Sequence, residues 1–126
     1  NPKVLVIDNM ELLSPGEKAE KLYEKMYNLY FGLRSLCTAN KICAFVTHQA
    51  TRSAASNPYR FPRVDEVSSG DALIRTSDIA LAMCLVKDDD KKRLISFQKF
   101  RDIGNLPKEY VVIDFDVDKG IFIEAS

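Results

Sequence analysis

Two short runs of unbroken apolar residues, Val4-Leu5-Val6-Ile7 and Ile42-Cys43-Ala44-Phe45-Val46-Thr47, flank a long segment with a different pattern. In that segment Ala19, Leu22, Tyr23, Met26, Leu29, Tyr30, Leu33, Leu36 and Cys37 recur at three- and four-residue intervals, which lays one apolar stripe along a helix. Continuous rather than alternating hydrophobicity predicts strands covered on both faces. Strand, amphipathic helix, strand is a crossover unit, and such a connection joins parallel strands of one sheet. The first half of the chain is therefore α/β. Ser14-Pro15-Gly16-Glu17 supplies the helix start, with Ser at the N-cap, Pro at the first helical position and Glu at N3. The helix should end near Asn40, in the left-handed conformation.

The second half changes character. Residues 50–63 hold Ser, Asn, Pro and three arginines without one acidic residue, which reads as a mobile loop. Ser68-Ser69-Gly70-Asp71 opens a short helix through about Ser77, and Ile79–Val86 is a third strand. A polar turn over residues 88–91 leads to a strand at 93–100, and Leu106-Pro107-Lys108-Glu109 connects it to another at 110–117. Asp118-Lys119-Gly120 is a tight turn into Ile121–Glu124, with Gly120 free to take positive φ. The second half is an antiparallel meander appended to a parallel first half. There is no internal repeat and no domain linker.

Composition narrows the function classes. With 126 residues, 46% hydrophobic, 29% charged and a net charge of zero, the chain is expected to form a globular domain and not a disordered one. Neutrality removes any global electrostatic case for nucleic acid or membrane, so such binding must rest on a local patch. No apolar run approaches the ~20 residues that span a bilayer, and no signal-peptide order opens the sequence. The three cysteines, Cys37, Cys43 and Cys84, sit among apolar residues and are expected as reduced, buried thiols of a cytoplasmic protein. Asn1-Pro2-Lys3 leads straight into the first strand, and a start this abrupt on a core element reads as a cut.

Few residues have a chemical reading. Asp8 ends the first apolar strand; at the carboxyl end of a strand in an open α/β sheet, such an Asp can hold Mg²⁺ directly or through water. A strand ending in Asp also occurs simply because a turn follows. Thr47-His48-Gln49 ends the second strand, where a polar group can contact a γ-phosphate or an attacking water. His48 is the only histidine, which excludes a His-rich metal site, and the lack of any Cys-x-x-Cys argues against a structural zinc. No nucleophile elbow of the Gly-x-Ser-x-Gly form occurs. Lys99 and Arg101, at i and i+2 of a strand edge, point the same way and can grip a phosphate together, or form a solvated basic end.

Taken in order, these segments resemble the C-terminal half of a RecA-like (P-loop NTPase) domain, specifically that of DnaB-type hexameric replicative DNA helicases. Val4-Leu5-Val6-Ile7-Asp8-Asn9-Met10-Glu11-Leu12-Leu13 resembles the family's Walker B strand and the segment after it. Phe45-Val46-Thr47-His48-Gln49-Ala50-Thr51-Arg52-Ser53 is similar to the strand ending in Gln that runs into an Asn/Thr-Arg-Ser stretch. Ser69-Gly70-Asp71-Ala72-Leu73-Ile74 through Ser77-Asp78-Ile79-Ala80-Leu81 resembles a Ser-Gly helix followed by an Asp-apolar strand. Lys99-Phe100-Arg101-Asp102-Ile103-Gly104 resembles a Lys-x-Arg-Asn/Asp-Gly element, here with Ile103 inserted.

The resemblance implies one RecA-like domain fragment over 1–126 and an enzyme that hydrolyses ATP, with Mg²⁺, to translocate on single-stranded DNA and unwind duplex. Asp8 would coordinate Mg²⁺ and Gln49 would sense the γ-phosphate. Lys99 and Arg101 would reach into a neighbouring subunit's nucleotide, Arg101 as the arginine finger. Arg52, Arg60 and Arg63 would contact DNA phosphates in the central channel, with Tyr59 and Phe61 placed to stack on bases or to anchor the loop. Implied partners are single-stranded DNA, further copies in a homo-hexameric ring, and a primase or helicase loader. No Gly-Lys dipeptide, and hence no Walker A loop, is present. The P-loop strand that separates the second and third strands in this family is thus expected to be missing, leaving the 126 residues inactive alone. Two other readings stay open: another RecA-superfamily ATPase, KaiC-like or RadA-like, and a non-enzymatic RecA-like DNA-binding or assembly module.

Overall fold

The computed structural model describes residues 3–13, 22–67, 70–101, 110–116 and 118–125, apart from the side chains of Leu22 and Tyr23. The chain forms two compact units, Asn1–Thr51 with Val64–Ser77, and Arg52–Arg63 with Asp78–Ser126. No helix among the described residues is long and apolar enough to cross a membrane.

The first unit holds the crossover. Strand β1 (Val4–Ile7) pairs in parallel with β2 (Cys43–Val46), in a register that sets Val4 beside Cys43 and Ile7 beside Val46. Between them runs α1, described over Leu22–Asn40. Its apolar stripe is the core-facing one: Met26 and Tyr30 are buried, and Leu29 and Leu33 pack beside them with Met10, Ile7, Val46 and Ala72. Leu36, which continues the stripe, is exposed. The Ser14–Glu17 capping box lies outside the described residues. At the other end the left-handed residue is Lys41, with φ 54°, and not Asn40. Asn40 remains helical, and its side-chain amide donates back to the Leu36 carbonyl one turn earlier at 2.8 Å.

A short 3-10 turn, Met10–Leu12, follows β1, and α3 (Gly70–Thr76) closes the unit against α1. The start expected at Ser68-Ser69 lies outside the described residues. Thr76 is buried near the end of α3; its hydroxyl donates to the Ala72 carbonyl at 2.7 Å, and Arg34 of α1 donates to the Thr76 carbonyl. Thus α3 is held by polar bonds at its end and by Ala72, fully buried, in its middle.

The expectation that β1 and β2 are covered on both faces is overturned. Leu5, Ile7, Ala44 and Val46 turn inward, while Val4, Val6, Cys43 and Phe45 form an exposed apolar face. The core supplied by α1 and α3 covers one side of the pair, and no described residue covers the other. Cys43 is correspondingly exposed and Cys37 half-buried; only Cys84 meets the expectation of a buried thiol, and burial pushes its thiol above the ordinary range.

The second unit is the antiparallel meander β3 (Ile79–Val86), β4 (Asp89–Phe100), β5 (Tyr110–Asp116), β6 (Ile121–Glu124), paired in that order. Ala82, Cys84 and Ile113 are its buried residues in the sheet, Phe115 meets Phe122 edge-on at 5.9 Å, and the Arg93 guanidinium lies 5.2 Å from the Phe115 ring centre. The first turn is tighter than expected. Val86 pairs with Asp89 across the two-residue turn Lys87-Asp88, and residues 90–92 bulge out before Leu85 pairs with Arg93; Asp88 takes φ 67°, a conformation Asp tolerates better than most residues. The strand expected at 93–100 therefore begins at Asp89. Gly120, at φ 63°, makes the last turn as expected.

Residues 52–63 are not a featureless loop. They begin with one helical turn, α2 (Arg52–Ala55), whose Ala54 is buried, and the Pro58 carbonyl accepts from the Leu85 N–H at 2.8 Å. That bond docks the segment along β3. β2 and β3 lie in different sheets.

Candidate functional site

The ladder between β1 and β2 runs on past both strands. The Thr47 N–H donates to the Ile7 carbonyl at 3.0 Å, and the Met10 N–H to the Thr47 carbonyl at 3.5 Å. These bonds lay the turn at Asp8 and Asn9 alongside residues 47–49, and the Thr47 hydroxyl donates to Asp8 Oδ1. Asp8, Thr47 and Gln49 are all exposed at the carboxyl ends of two parallel strands, the edge at which open α/β sheets bind ligands. The structure thus brings together the Asp8 and Gln49 segments that the sequence singles out. Magnesium is commonly held by one or two carboxylates, with water and phosphate completing its shell. Asp8, an exposed carboxylate with one oxygen engaged by Thr47, fits that mode. Among the described residues no three His, Cys, Asp or Glu converge, so no all-protein cage is built.

Behind this edge lies a polar cluster that sequence reasoning missed. His48 Nδ1 sits 3.3 Å from Glu11 Oε1, with the His48 side chain 4% exposed and that of Glu11 32%. The Tyr30 ring is 6.1 Å from the imidazole, centre to centre. The His48–Glu11 contact lacks hydrogen-bond alignment. Both ring nitrogens, the Tyr30 hydroxyl and Asn9 Oδ1 are buried without a hydrogen-bond partner among the described residues. Burial first, and the Glu11 charge second, push the Tyr30 phenol well above its ordinary range. Strand parity carries the missed signal: Ala44, Val46 and His48 share the inward side, and Phe45, Thr47 and Gln49 the outward.

Lys99 and Arg101 belong to the second unit. Lys99 pairs with Ala80 and Phe100 with Ile79, while Leu81 pairs with Phe97, so Gln98 is the extra residue of a β-bulge. Phe100 is the last strand residue and Arg101 lies in the turn beyond it. The expectation that Lys99 and Arg101 point the same way from one strand edge is corrected to this extent: Lys99 lies in β4 and Arg101 beyond its end. Arg101 is instead tied to the residue before β3: its Nε lies 3.2 Å from Asp78 Oδ1, and its N–H donates to the Asp78 carbonyl at 2.9 Å. The two side chains are 40% and 64% exposed. An ion pair this open contributes roughly 0.2–1 kcal/mol, little enough for the guanidinium to exchange partners. Residues 102–104 of the same motif lie outside the described residues.

Of the three arginines in the basic segment, Arg52 opens α2 and is exposed, as is Arg63. Arg60 is half-buried and donates to the Phe61 carbonyl at 3.2 Å. Tyr59 is half-exposed and Phe61 more covered, so Tyr59 has the better-placed ring for stacking and Phe61 the better-placed ring for anchoring.

No protein-family model and no curated protein matches this sequence. Among solved structures the chain is similar to a DnaB-like replicative helicase that was described with its interactions with primase. The TM-score is 0.83 at 16% identity, over 98% of this chain and 30% of that one. The chain therefore spans less than a third of that helicase's length, and the likeness is one of fold: a mixed α/β arrangement with a parallel pair and an antiparallel meander.

Proposed function

We propose that this chain is the Walker B side of a RecA-like motor domain in an ATP-dependent replicative DNA helicase. The observation that carries the reading is the Asp8–Thr47–Gln49 edge at the carboxyl ends of β1 and β2, set in a fold similar to a DnaB-like helicase over almost the whole chain. Asp8 would hold Mg²⁺, which with ATP would supply neutralisation of charge on the phosphates. Gln49, exposed two residues after the Thr47 that bonds Asp8, contacts the γ-phosphate and transmits its presence to the residues that follow. Arg101 leaves its open pairing with Asp78 to stabilise charge on the transferring phosphoryl group of a neighbouring subunit, with Lys99 beside it in sequence. Arg52, Arg60 and Arg63 contact the phosphates of single-stranded DNA.

The uncovered apolar face of β1 and β2 supports a P-loop half elsewhere in the parent protein. That half would supply the Walker A loop these 126 residues lack. Partners are then single-stranded DNA, copies of the same protein in a hexameric ring, and a primase or loader, in the cytoplasm.

The test is ATP hydrolysis by the intact protein with and without single-stranded DNA, and by its Asp8→Asn variant. DNA-stimulated hydrolysis that Asp8→Asn abolishes is expected. Hydrolysis indifferent to DNA favours a KaiC- or RadA-like ATPase, and none at all favours a non-enzymatic module. The isolated 126 residues are expected neither to bind nor to hydrolyse ATP.

A further inference from the structure

We propose that His48 is a positioning residue: set against Glu11, it locks the turn after β1 to the strand end that presents Gln49. The argument begins with parity. In an extended segment successive side chains point to opposite sides, so burying His48 turns both Thr47 and Gln49 to the exposed side, where Asp8 lies. What keeps His48 inward is its setting: the Tyr30 ring from α1 on one side and Glu11 from the 3-10 turn on another. A polar ring almost wholly removed from water is held only where a partner compensates it, and Glu11 is the charged group within reach, at 3.3 Å.

Glu11 also ties the arrangement to the other strand. It lies three residues after Asp8, and Met10 between them donates its N–H to the Thr47 carbonyl. The two segments are thus joined three times: Thr47 hydroxyl to Asp8, Met10 N–H to Thr47, and His48 to Glu11. The first two are local to Thr47. The third sets the buried imidazole against a partly exposed carboxylate, and it carries the lock to Gln49's immediate neighbour. Any displacement of Gln49 is then felt by the turn that carries Asp8.

The proposal rests on the helicase reading only for what Asp8 and Gln49 do; the lock itself is measurable without nucleotide. Amide hydrogen exchange is followed by NMR in this chain and in Glu11→Ala, His48→Ala and the conservative His48→Asn, which keeps a polar side chain facing Glu11. Glu11→Ala and His48→Ala are each expected to speed exchange of the Met10 and Thr47 amides about tenfold, leaving β3 to β6 unchanged. The double variant should be no faster than either single one, and His48→Asn should recover most of the protection. Unchanged protection in Glu11→Ala, or acceleration spread evenly over both units, would overturn the lock. In the intact protein both alanine variants should lower kcat for ATP more than they alter KM. If the intact wild-type protein hydrolyses no ATP, the helicase reading fails while the exchange result still decides the lock.

Discussion

Arg101, the proposed arginine finger, is paired in the structure with Asp78. The pair is open to solvent and worth roughly 0.2–1 kcal/mol, whereas an arginine finger is worth ~10³–10⁵ in rate. On the proposed reading, Arg101→Ala in the intact protein should lower kcat for ATP by about 10³ or more, while Asp78→Asn should change it by less than about fivefold. Equal losses in steady-state assays would mean that Asp78, and not a nucleotide, is the partner that matters. Tyr30 gives a second residue-level test. Its hydroxyl is buried without a hydrogen-bond partner among the described residues, so Tyr30→Phe should leave stability near neutrality unchanged or raised. The folded state holds the phenolic proton more tightly than the unfolded chain. The stability linked to this group is thus intact below about pH 10 and declines as pH rises above it, where the unfolded chain releases the proton first. Denaturant titrations should show that alkaline decline in the wild type and a weaker one in Tyr30→Phe.

Among the elements, α3 depends most on a close approach. A Cβ on Gly70 would collide with the Val64 backbone carbonyl, an atom that moves only if the chain does. Gly70→Ala should destabilise the first unit by about 1–3 kcal/mol, read from the urea midpoint. The elements also show what was legible in the sequence. β1, β3 and β6 have the expected limits, because each is an apolar run closed by a polar residue or turn. The β3–β4 turn was not legible: three consecutive aspartates look like a loop, yet Asp89 and Asp90 lie in β4 once Asp88 takes positive φ. Residues 52–63 failed for a related reason. Ser, Asn and Pro disfavour regular structure locally, but the Pro58–Leu85 bond and buried Ala54 order the segment from outside it. Of the candidate site, the sequence singles out Asp8 and Gln49, and the structure places their segments side by side just past the ends of β1 and β2. The His48–Glu11 contact was not, because it depends on a pairing register that places residues 37 positions apart in touch.

For the whole molecule, the exposed face of β1 and β2 is the feature that asks for more chain. Phe45 and Val6 are 60% and 68% exposed, although parallel sheets are ordinarily covered on both sides. In these 126 residues Phe45→Ser should change stability by less than about 0.5 kcal/mol, as for a surface site. In the intact protein the same substitution should cost about 3–5 kcal/mol, as for a buried aromatic. Equal small effects in both would remove the case for a covering half. The central claim, that this fold serves a helicase motor, is tested most directly by unwinding. The intact protein, given ATP, Mg²⁺ and a forked duplex with a single-stranded tail, should separate the strands, and its Arg101→Ala variant should not. Vigorous ATP hydrolysis without strand separation, or unwinding that survives Arg101→Ala undiminished, would contradict the account.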